Sequence, residues 1–472
     1  MGQTITIEPV TRVEGHARVT IHLDDKGQVE QSYLHIDQFR GFEKFSEGRM
    51  YFEMPVITPR ICGICPVSHH LASAKACDKL AGTPPPRPAN LLRELLHMGQ
   101  IIQSHSMHFF HLASPDLLLG FDADPAIRNV VGLIEVNPDL ALKAVKLRKY
   151  GQEIIRRLSG RRIHMHWAVP GGVSTPLASD DRDWILGQVD EMTGYVQEGI
   201  AISKQWLADN QDVVDKFANF ASNYMGMCNN GALELYEGPL RFCDPQGRIL
   251  EEFSPCDYLD HIAERVEDWS YLKFPFNKKL GWPQGVYRVA PLGRLNVADR
   301  IATPLANEEF KTFKSLSNGP VQQTLYYHYA RLIEDLYAIE QARELCEDPD
   351  ILSDEIINTN TQITGEGVGC IEAPRGTLWH HYWTDEHGVL TKVNLIVATG
   401  NNNWAMSHSV DMVAKAFVDG NNLTEGMLNR VEAAIRCYDP CLSCSTHALG
   451  QMPMIVDIVD STGQTVRSLR RN

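Results

Sequence analysis

The chain has 472 residues, 44 Lys and Arg against 59 Asp and Glu, and a net charge of −15. Its 43% hydrophobic and 22% charged residues are ordinary for a globular protein with a substantial core, which excludes disorder, a collagen-like fibre and a disulfide-dense miniprotein. The acidic balance argues against a nucleic-acid partner, because phosphate binding needs clustered Lys and Arg. Arg156-Arg157 and Arg161-Arg162 are only short doublets. No apolar run reaches the roughly 18 residues of a transmembrane segment. Met1-Gly2-Gln3-Thr4-Ile5 has no basic region leading into an apolar stretch, so no export signal is expected. The expected location is the cytoplasm, where the 11 cysteines serve as thiols and metal ligands rather than disulfides.

In chain order, Ala17, Val19, Ile21 and Leu23 alternate with Arg18, Thr20 and His22, the period of a half-buried strand. Asp24-Asp25-Lys26-Gly27 is a turn and residues 29–36 its partner strand, so residues 1–36 form an N-terminal β region. Helices are predicted over 87–112, 138–158, 179–209 and 321–346. In the last, Leu325, Tyr329, Leu332, Leu336 and Ile339 form one apolar stripe. Residues 226–320, rich in Gly, Pro and aromatics, are expected to be loop-rich. A late hairpin is predicted from residues 377–383 and 389–397 around Asp385-Glu386-His387-Gly388. The expected fold class is α+β and predominantly helical, a central bundle of long helices with small peripheral antiparallel sheets.

Two C-x-x-C pairs carry the chemistry. Cys62 and Cys65 lie in Arg60-Ile61-Cys62-Gly63-Ile64-Cys65-Pro66-Val67-Ser68-His69-His70, and Cys441 and Cys444 in Asp439-Pro440-Cys441-Leu442-Ser443-Cys444-Ser445-Thr446-His447. A spacing of three puts both sulfurs on one side of a tight turn, and thiolates favour zinc, iron or other late transition metals. A structural Cys₄ zinc site and a transition-metal centre joining the two chain ends both remain open on spacing alone, and a thioredoxin-like redox pair is a third reading, though neither pair sits in a βαβ context. Zinc ribbons keep their pairs roughly 15–20 residues apart. Here the separation is 441 − 65 = 376 residues. Cys77, Cys228, Cys243, Cys256, Cys346, Cys370 and Cys437 lack ligand spacing and read as small buried hydrophobes. Gly365-Glu366-Gly367-Val368-Gly369-Cys370 begins like a dinucleotide fingerprint, but Cys370 stands where the third Gly belongs and no βαβ unit surrounds it.

Both cysteine motifs resemble the signatures of the large subunit of nickel–iron hydrogenases, R-x-C-G-x-C-x-x-x-H and D-P-C-x-x-C-x-x-H. The likeness continues in Arg12-Val13-Glu14-Gly15-His16, Phe39-Arg40-Gly41-Phe42-Glu43, Pro170-Gly171-Gly172-Val173 and Glu372-Ala373-Pro374-Arg375-Gly376. Within that family the Cys-Leu-Ser-Cys-Ser-Thr-His-Ala ending looks most like the cytoplasmic, bidirectional NAD-reducing group. The resemblance implies reversible heterolytic cleavage of dihydrogen. It also implies one domain over 1–447, with a metal site joining the N- and C-terminal segments and a propeptide over 448–472.

The same resemblance implies the site. Nickel is held by Cys62, Cys65, Cys441 and Cys444, and Cys65 and Cys444 bridge to an iron carrying cyanide and carbon monoxide. Glu14 is the first proton relay, beside Cys441, and burial near the metals would suit it to proton transfer. Glu43 and His447 hold Mg²⁺. Arg375 hangs its permanently charged, planar guanidinium over the open metal position, and Asp116 holds that arginine. On its residues alone, Ser114-Pro115-Asp116 also reads as a helix-terminating turn. His69 bonds the bridging sulfur from outside the ligand set, leaving no role for His70. A dedicated endopeptidase cuts between His447 and Ala448 once maturation chaperones have delivered the metals. With no cluster cysteines or dinucleotide motif left over, the resemblance assigns iron–sulfur clusters to a small subunit and NAD and flavin to diaphorase partners. Two rivals remain: a hydrogenase-like structural subunit lining the quinone cavity of a respiratory NADH dehydrogenase, which lacks the metal cysteines, and a zinc-stabilised binding protein.

Overall fold

The computed structural model describes residues 3–445, 454–460 and 464–471. The N-terminal alternation folds into an antiparallel sheet of β1 (Thr4–Ile7), β2 (Arg18–Leu23) and β3 (Val29–His35), in that order. Its Val19, Ile21 and Leu23 are buried, and the intervening positions are wetter. Next comes α1 (Pro66–Leu80), capped by Cys65 with Pro66 at its first position, where a missing N–H costs nothing and φ is already helical. The core is built from α2 (Arg87–Met107), α3 (Pro138–Ser159), α4 (Val189–Asp209) and α5 (Tyr326–Glu347). α2 packs on α3 and α5, and α5 also packs on α4. α5 is buried around nearly its whole circumference rather than along one stripe. Its His328, Arg331, Glu334 and Asp335 are buried with the apolar residues and find partners inside.

Three predicted elements differ. The 179–209 helix is broken in two, Ser179–Leu186 ending at Gly187 before α4 begins. Ser114-Pro115-Asp116 does not end the helix before it. The chain runs on from α2 through two π-helical turns, His108–Ala113 and Pro115–Leu119, and stops at Gly120 with φ 97°. A wide turn tolerates proline's missing N–H, which is why the sequence signal misleads. Residues 226–320 are not loop-rich. They complete a five-stranded sheet that includes Asn223–Asn229, Leu240–Cys243 and Ile249–Phe253, and they hold a hairpin of Ile262–Glu267 with Ser270–Asn277. They also contain helices Ala290–Val297 and Pro304–Lys314. Leu240–Cys243 is buried at every position, so no alternation was there to be read.

The late hairpin is the second half of a meander, β4 (Glu366–Ala373), β5 (Gly376–Thr384) and β6 (Leu390–Ile396). β4 is the fingerprint-like run, and its glycines serve packing. A Cβ on Gly367 would stand 2.2 Å from the Ala76 carbonyl of α1, and one on Gly369 2.0 Å from that of Ala72. α6 (Asn403–Phe417) packs against β3 and against α7 (Glu425–Cys437), which delivers the chain to Asp439 and Cys441. Met454–Val459 and Thr465–Arg471 form an antiparallel hairpin that joins no other sheet among the described residues. Of the seven non-motif cysteines six are buried as expected, while Cys256 is exposed at the start of a 3₁₀ turn. No helix among the described residues is long and apolar enough to cross a membrane.

Candidate metal centre

The two ends of the chain meet at four sulfurs. Cys62 follows the turn Thr58–Ile61 in extended conformation, and Cys65 sits at the N-terminus of α1. Cys441 begins the turn that carries Cys444. The Sγ atoms of Cys62, Cys65, Cys441 and Cys444 lie within 4.8 Å of one another. Cys441 is 3.1 Å from Cys62 and 2.9 Å from Cys444, and Cys65 is 3.3 Å from Cys444. All four are buried. Hydrogen bonds from Cys441 and its neighbours hold the Cys62 thiol well below its ordinary range, while burial pushes Cys441 and Cys444 well above it. Four buried thiols cannot ionise together without a cation among them, so the donor set fits a soft metal.

Arg12-Val13-Glu14-Gly15 lies alongside the second cysteine pair as a parallel bridge, with the Leu442 N–H donating to the Glu14 carbonyl at 3.0 Å. Gly15 (φ 84°) allows this, since a Cβ there would stand 2.7 Å from Leu442 Cβ. The half-buried Glu14 carboxylate is 3.0 Å from Cys441 Sγ and accepts the Ser443 N–H at 3.1 Å. Arg40 donates to the carbonyls of Ile61 and Ser443, tying the two cysteine loops together. Thr399 Oγ1 accepts the Cys441 N–H at 3.0 Å. A small cavity lies among Cys65, His69, Arg375, Thr399, Cys441 and Cys444.

Arg375 is buried at this cavity, but Asp116 does not hold it. The Arg375 guanidinium donates to Asp439 Oδ1 at 2.9 Å and Ser104 Oγ at 3.3 Å. Burial opposes its charge, yet Asp439 and the cysteine sulfurs outweigh burial and hold its pKa above the ordinary arginine value. Asp116 instead pairs with Arg12 and, at 2.9 Å, with Arg436, with Asn429 donating at 3.0 Å. Burial works to raise the Asp116 carboxyl, but Arg436 and Arg12 prevail and hold it low. Arg128 adds a third guanidinium at 3.7 Å; Arg12 and Arg436 come from the segment before Glu14 and from the end of α7, so Asp116 anchors the backbone on both sides of the metal site. Asp439 is the residue that sequence reasoning missed: it stood inside the quoted D-P-C motif without a role.

His69 Nε2 is 3.3 Å from Cys444 Sγ. His70 is a structural bridge. Its Nδ1–H donates to the Pro55 carbonyl at 2.6 Å and its Nε2 accepts the Ala168 N–H at 2.8 Å, while burial pushes it down to about 4 and keeps it neutral. Glu43, in the first turn of the short helix Phe42–Ser46, accepts the Leu395 N–H at 2.7 Å. His447 and Ala448 lie outside the described residues.

A helical core that brings an early and a late cysteine pair together as one buried four-sulfur site defines a metal-binding protein, and comparison with known proteins narrows it. The sequence profile of the nickel-dependent hydrogenases matches residues 40–126 and 246–447, and a profile described as HoxL-like matches 4–39. The chain is 45% identical to the NAD-reducing hydrogenase HoxS subunit beta of Cupriavidus necator, over 99% of both chains. It is 44% identical to one of the subunits of the F420-non-reducing hydrogenase of Methanothermobacter marburgensis, over 98% of this chain and 99% of that one. A solved NAD⁺-reducing [NiFe]-hydrogenase in its H₂-reduced state superposes with a TM-score of 0.92 at 45% identity, covering 94% of this chain and 99% of its own. The Ni-Fe-Se hydrogenase of D. vulgaris Hildenborough shares the fold, with a TM-score of 0.78 at 22% identity over 95% and 100% of the two chains. The chain belongs to the nickel–iron hydrogenase family, as a large subunit.

Proposed function

We propose that this chain is the catalytic subunit of a hydrogenase that reversibly splits dihydrogen into protons and electrons and passes the electrons, through a small iron–sulfur subunit and a flavoprotein partner, to NAD(P). The observation that carries the reading is the buried tetrathiolate in a chain 45% identical to an NAD-reducing hydrogenase subunit over 99% of its length. Its intact cysteine quartet sets it apart from a quinone-cavity subunit, and the family match sets it apart from a zinc-stabilised binding protein. When bound, a nickel–iron centre supplies the open site for dihydrogen and takes up its electrons. Cys62 and Cys441 would bind nickel alone, with Cys65 and Cys444 bridging to an iron ligated by cyanide and carbon monoxide. Glu43 and His447 would hold Mg²⁺.

The chain's own residues handle the proton and the substrate. Cys441 Sγ, 3.0 Å from Glu14, passes the proton from the cleaved molecule to that carboxylate. Arg375, fixed by Asp439 and Ser104, presents a permanent positive charge beside the cavity. Residues 448–472 would be a propeptide released between His447 and Ala448. The nickel-dependent profile ends at residue 447, and the described tail pairs only with itself. Reliance on an electron-accepting partner fits a cytoplasmic enzyme.

Metal analysis and an acceptor assay test the reading. The purified complex is expected to hold nickel and iron at about one each per chain, and Cys65→Ser or Cys444→Ser to lose both metals and turnover, since no other side chain matches thiolate softness. Zinc in their place, or an active Cys65→Ser enzyme, sinks it. Dihydrogen-dependent NAD⁺ reduction supports the NAD-linked acceptor. An active complex that leaves NAD⁺ untouched favours the second reading, raised by 44% identity to an F420-non-reducing hydrogenase.

A further inference from the structure

Arg375 occupies a two-residue turn, and a buried ion cluster grips that turn. Ala373 of β4 pairs with Gly376 of β5, so Pro374 and Arg375 form the loop between them. Arg294, on the helix Ala290–Val297, donates to the Ala373 carbonyl at 2.8 Å and to the Pro374 carbonyl at 3.4 Å. The same guanidinium donates to both carboxylate oxygens of Glu334 on α5, at 2.6 Å each, and to Glu372 Oε2 at 2.9 Å. Its five N–H groups thus make five bonds, and the side chains of Arg294, Glu334 and Glu372 are all fully buried.

The cluster also reaches the other side of Arg375. Glu334 Oε2 accepts the His105 Nε2–H at 3.0 Å, and His105 follows Ser104, the α2 residue whose hydroxyl takes the Arg375 guanidinium. Burial pushes His105 down to about 4 and keeps its ring neutral. Burial works to raise the Glu334 carboxyl, but Arg294 prevails and brings it down to about 2. Glu372 Oε1 accepts the Thr377 hydroxyl at 2.7 Å and the Met227 N–H at 3.1 Å, tying β4 and β5 to the strand Asn223–Asn229. Buried ions are costly to desolvate, and apolar residues of similar volume often replace them without loss of stability. Apolar side chains cannot, however, hold two backbone carbonyls in a set direction.

We propose that Arg294 and Glu334 are positioning residues for Arg375. Arg294 sets the turn that carries it, and Glu334 holds Arg294 and the Ser104 segment of α2 at a fixed spacing, so that the Arg375 guanidinium stays seated on Asp439 beside the metal cavity. For its effect on turnover the inference rests on the nickel–iron reading. Neither residue lines the cavity, and both act through Arg375 alone. A misplacement of about 1 Å at a reacting centre can cost as much as a hundredfold in rate, which is the scale on which such a clamp matters.

The test uses the assembled complex carrying Arg294→Lys or, as the gentler change, Glu334→Gln. Lysine lacks the planar fork and the donors to reach every acceptor, and glutamine keeps the shape of Glu334 but not the charge that aligns Arg294. Each variant should keep nickel and iron at the wild-type level and lose roughly tenfold or more in kcat/KM for dihydrogen. In an Arg375→Lys background the same substitutions should add no more than about a twofold further loss, because residues that act through one group are not additive. A crystal structure of the Glu334→Gln complex should show the Arg375–Asp439 hydrogen bond lengthened or broken. Wild-type kcat/KM in both variants, losses that simply multiply with that of Arg375→Lys, metal loss from both variants, or Arg375 seated unchanged on Asp439 would each overturn the proposal. A wild-type complex without nickel would instead refute the nickel–iron reading, and the place of Arg375 in the Glu334→Gln crystal would still test the clamp.

Discussion

At the residue scale, the sharpest expectation concerns Arg375. Its guanidinium uses one arm on Asp439 and another on Ser104, a planar division that a lysine ammonium cannot copy. Arg375→Lys should cost at least about tenfold in kcat/KM, roughly 1.4 kcal/mol of transition-state stabilisation, with nickel retained. Near-normal turnover would make the arginine structural. Glu14→Gln keeps the acceptor of the Ser443 N–H but cannot carry a proton at neutral pH. Hydrogen–deuterium exchange with solvent should therefore fall sharply while metal content holds; wild-type exchange would place the relay elsewhere. These residues were legible because local motifs carry them. The partner of Arg375 was not: Asp116 and Asp439 are both plausible carboxylates in sequence, and only the fold shows that Arg12 and Arg436 have claimed Asp116.

At the scale of elements, contact between β4 and α1 is what brings Glu372-Ala373-Pro374-Arg375 to the first cysteine pair. With a Cβ at Gly369 standing 2.0 Å from the Ala72 carbonyl, Gly369→Val has no room to relax without moving the strand. It should destabilise the chain by about 1–3 kcal/mol through overpacking. A thermal midpoint within a degree of wild type would show that the strand can shift freely. A second element-level effect comes from α2, where burial and then Glu234 push the Glu94 carboxyl up to about 8. A carboxyl with a folded pKa above its unfolded one favours the folded state when protonated. This group therefore stabilises the fold as pH falls from about 8 toward the ordinary Glu range, and destabilises it above that window. Glu94→Gln should raise the thermal midpoint at pH 8 and flatten its dependence on pH between 5 and 8; an unchanged profile would mean the group is wet. Elements with clear periodicity, such as β2, β3 and the long helices, were readable. The π-helical run through Pro115 and the strand Leu240–Cys243 were not, because one hides its wide turn and the other is buried at every position.

At the scale of the whole molecule, the fold is a clasp whose two jaws lie at opposite ends of the chain. Asp116 holds Arg12 and Arg436, Glu14 bridges to Cys441, and Arg40 spans both cysteine loops, so closure depends on the last residues of the domain reaching the first. The long-range pairing of the two C-x-x-C motifs was legible only through their resemblance to a family, since no local rule joins positions 376 residues apart (441 − 65). A tail attached three residues beyond Cys444 sits where closure must finish. The described part of that tail contributes nothing to the domain's sheets: Met454–Val459 pairs with Thr465–Arg471 alone, and residues 464–469 are exposed. The nickel-dependent profile stops at residue 447, and the solved H₂-reduced relative is covered over 99% of its length while taking up 94% of this chain. Cleavage between His447 and Ala448 would remove 472 − 447 = 25 residues and free His447 to join Glu43 at Mg²⁺. The expected outcome is an active enzyme whose large-subunit mass ends at His447, and a longer, metal-poor chain when the maturation endopeptidase is withheld. Cleavage should cost the folded domain little, because a hairpin whose strands pair only with each other adds no sheet contact to the domain. A chain ending at Asn472 in fully active enzyme would overturn the propeptide assignment.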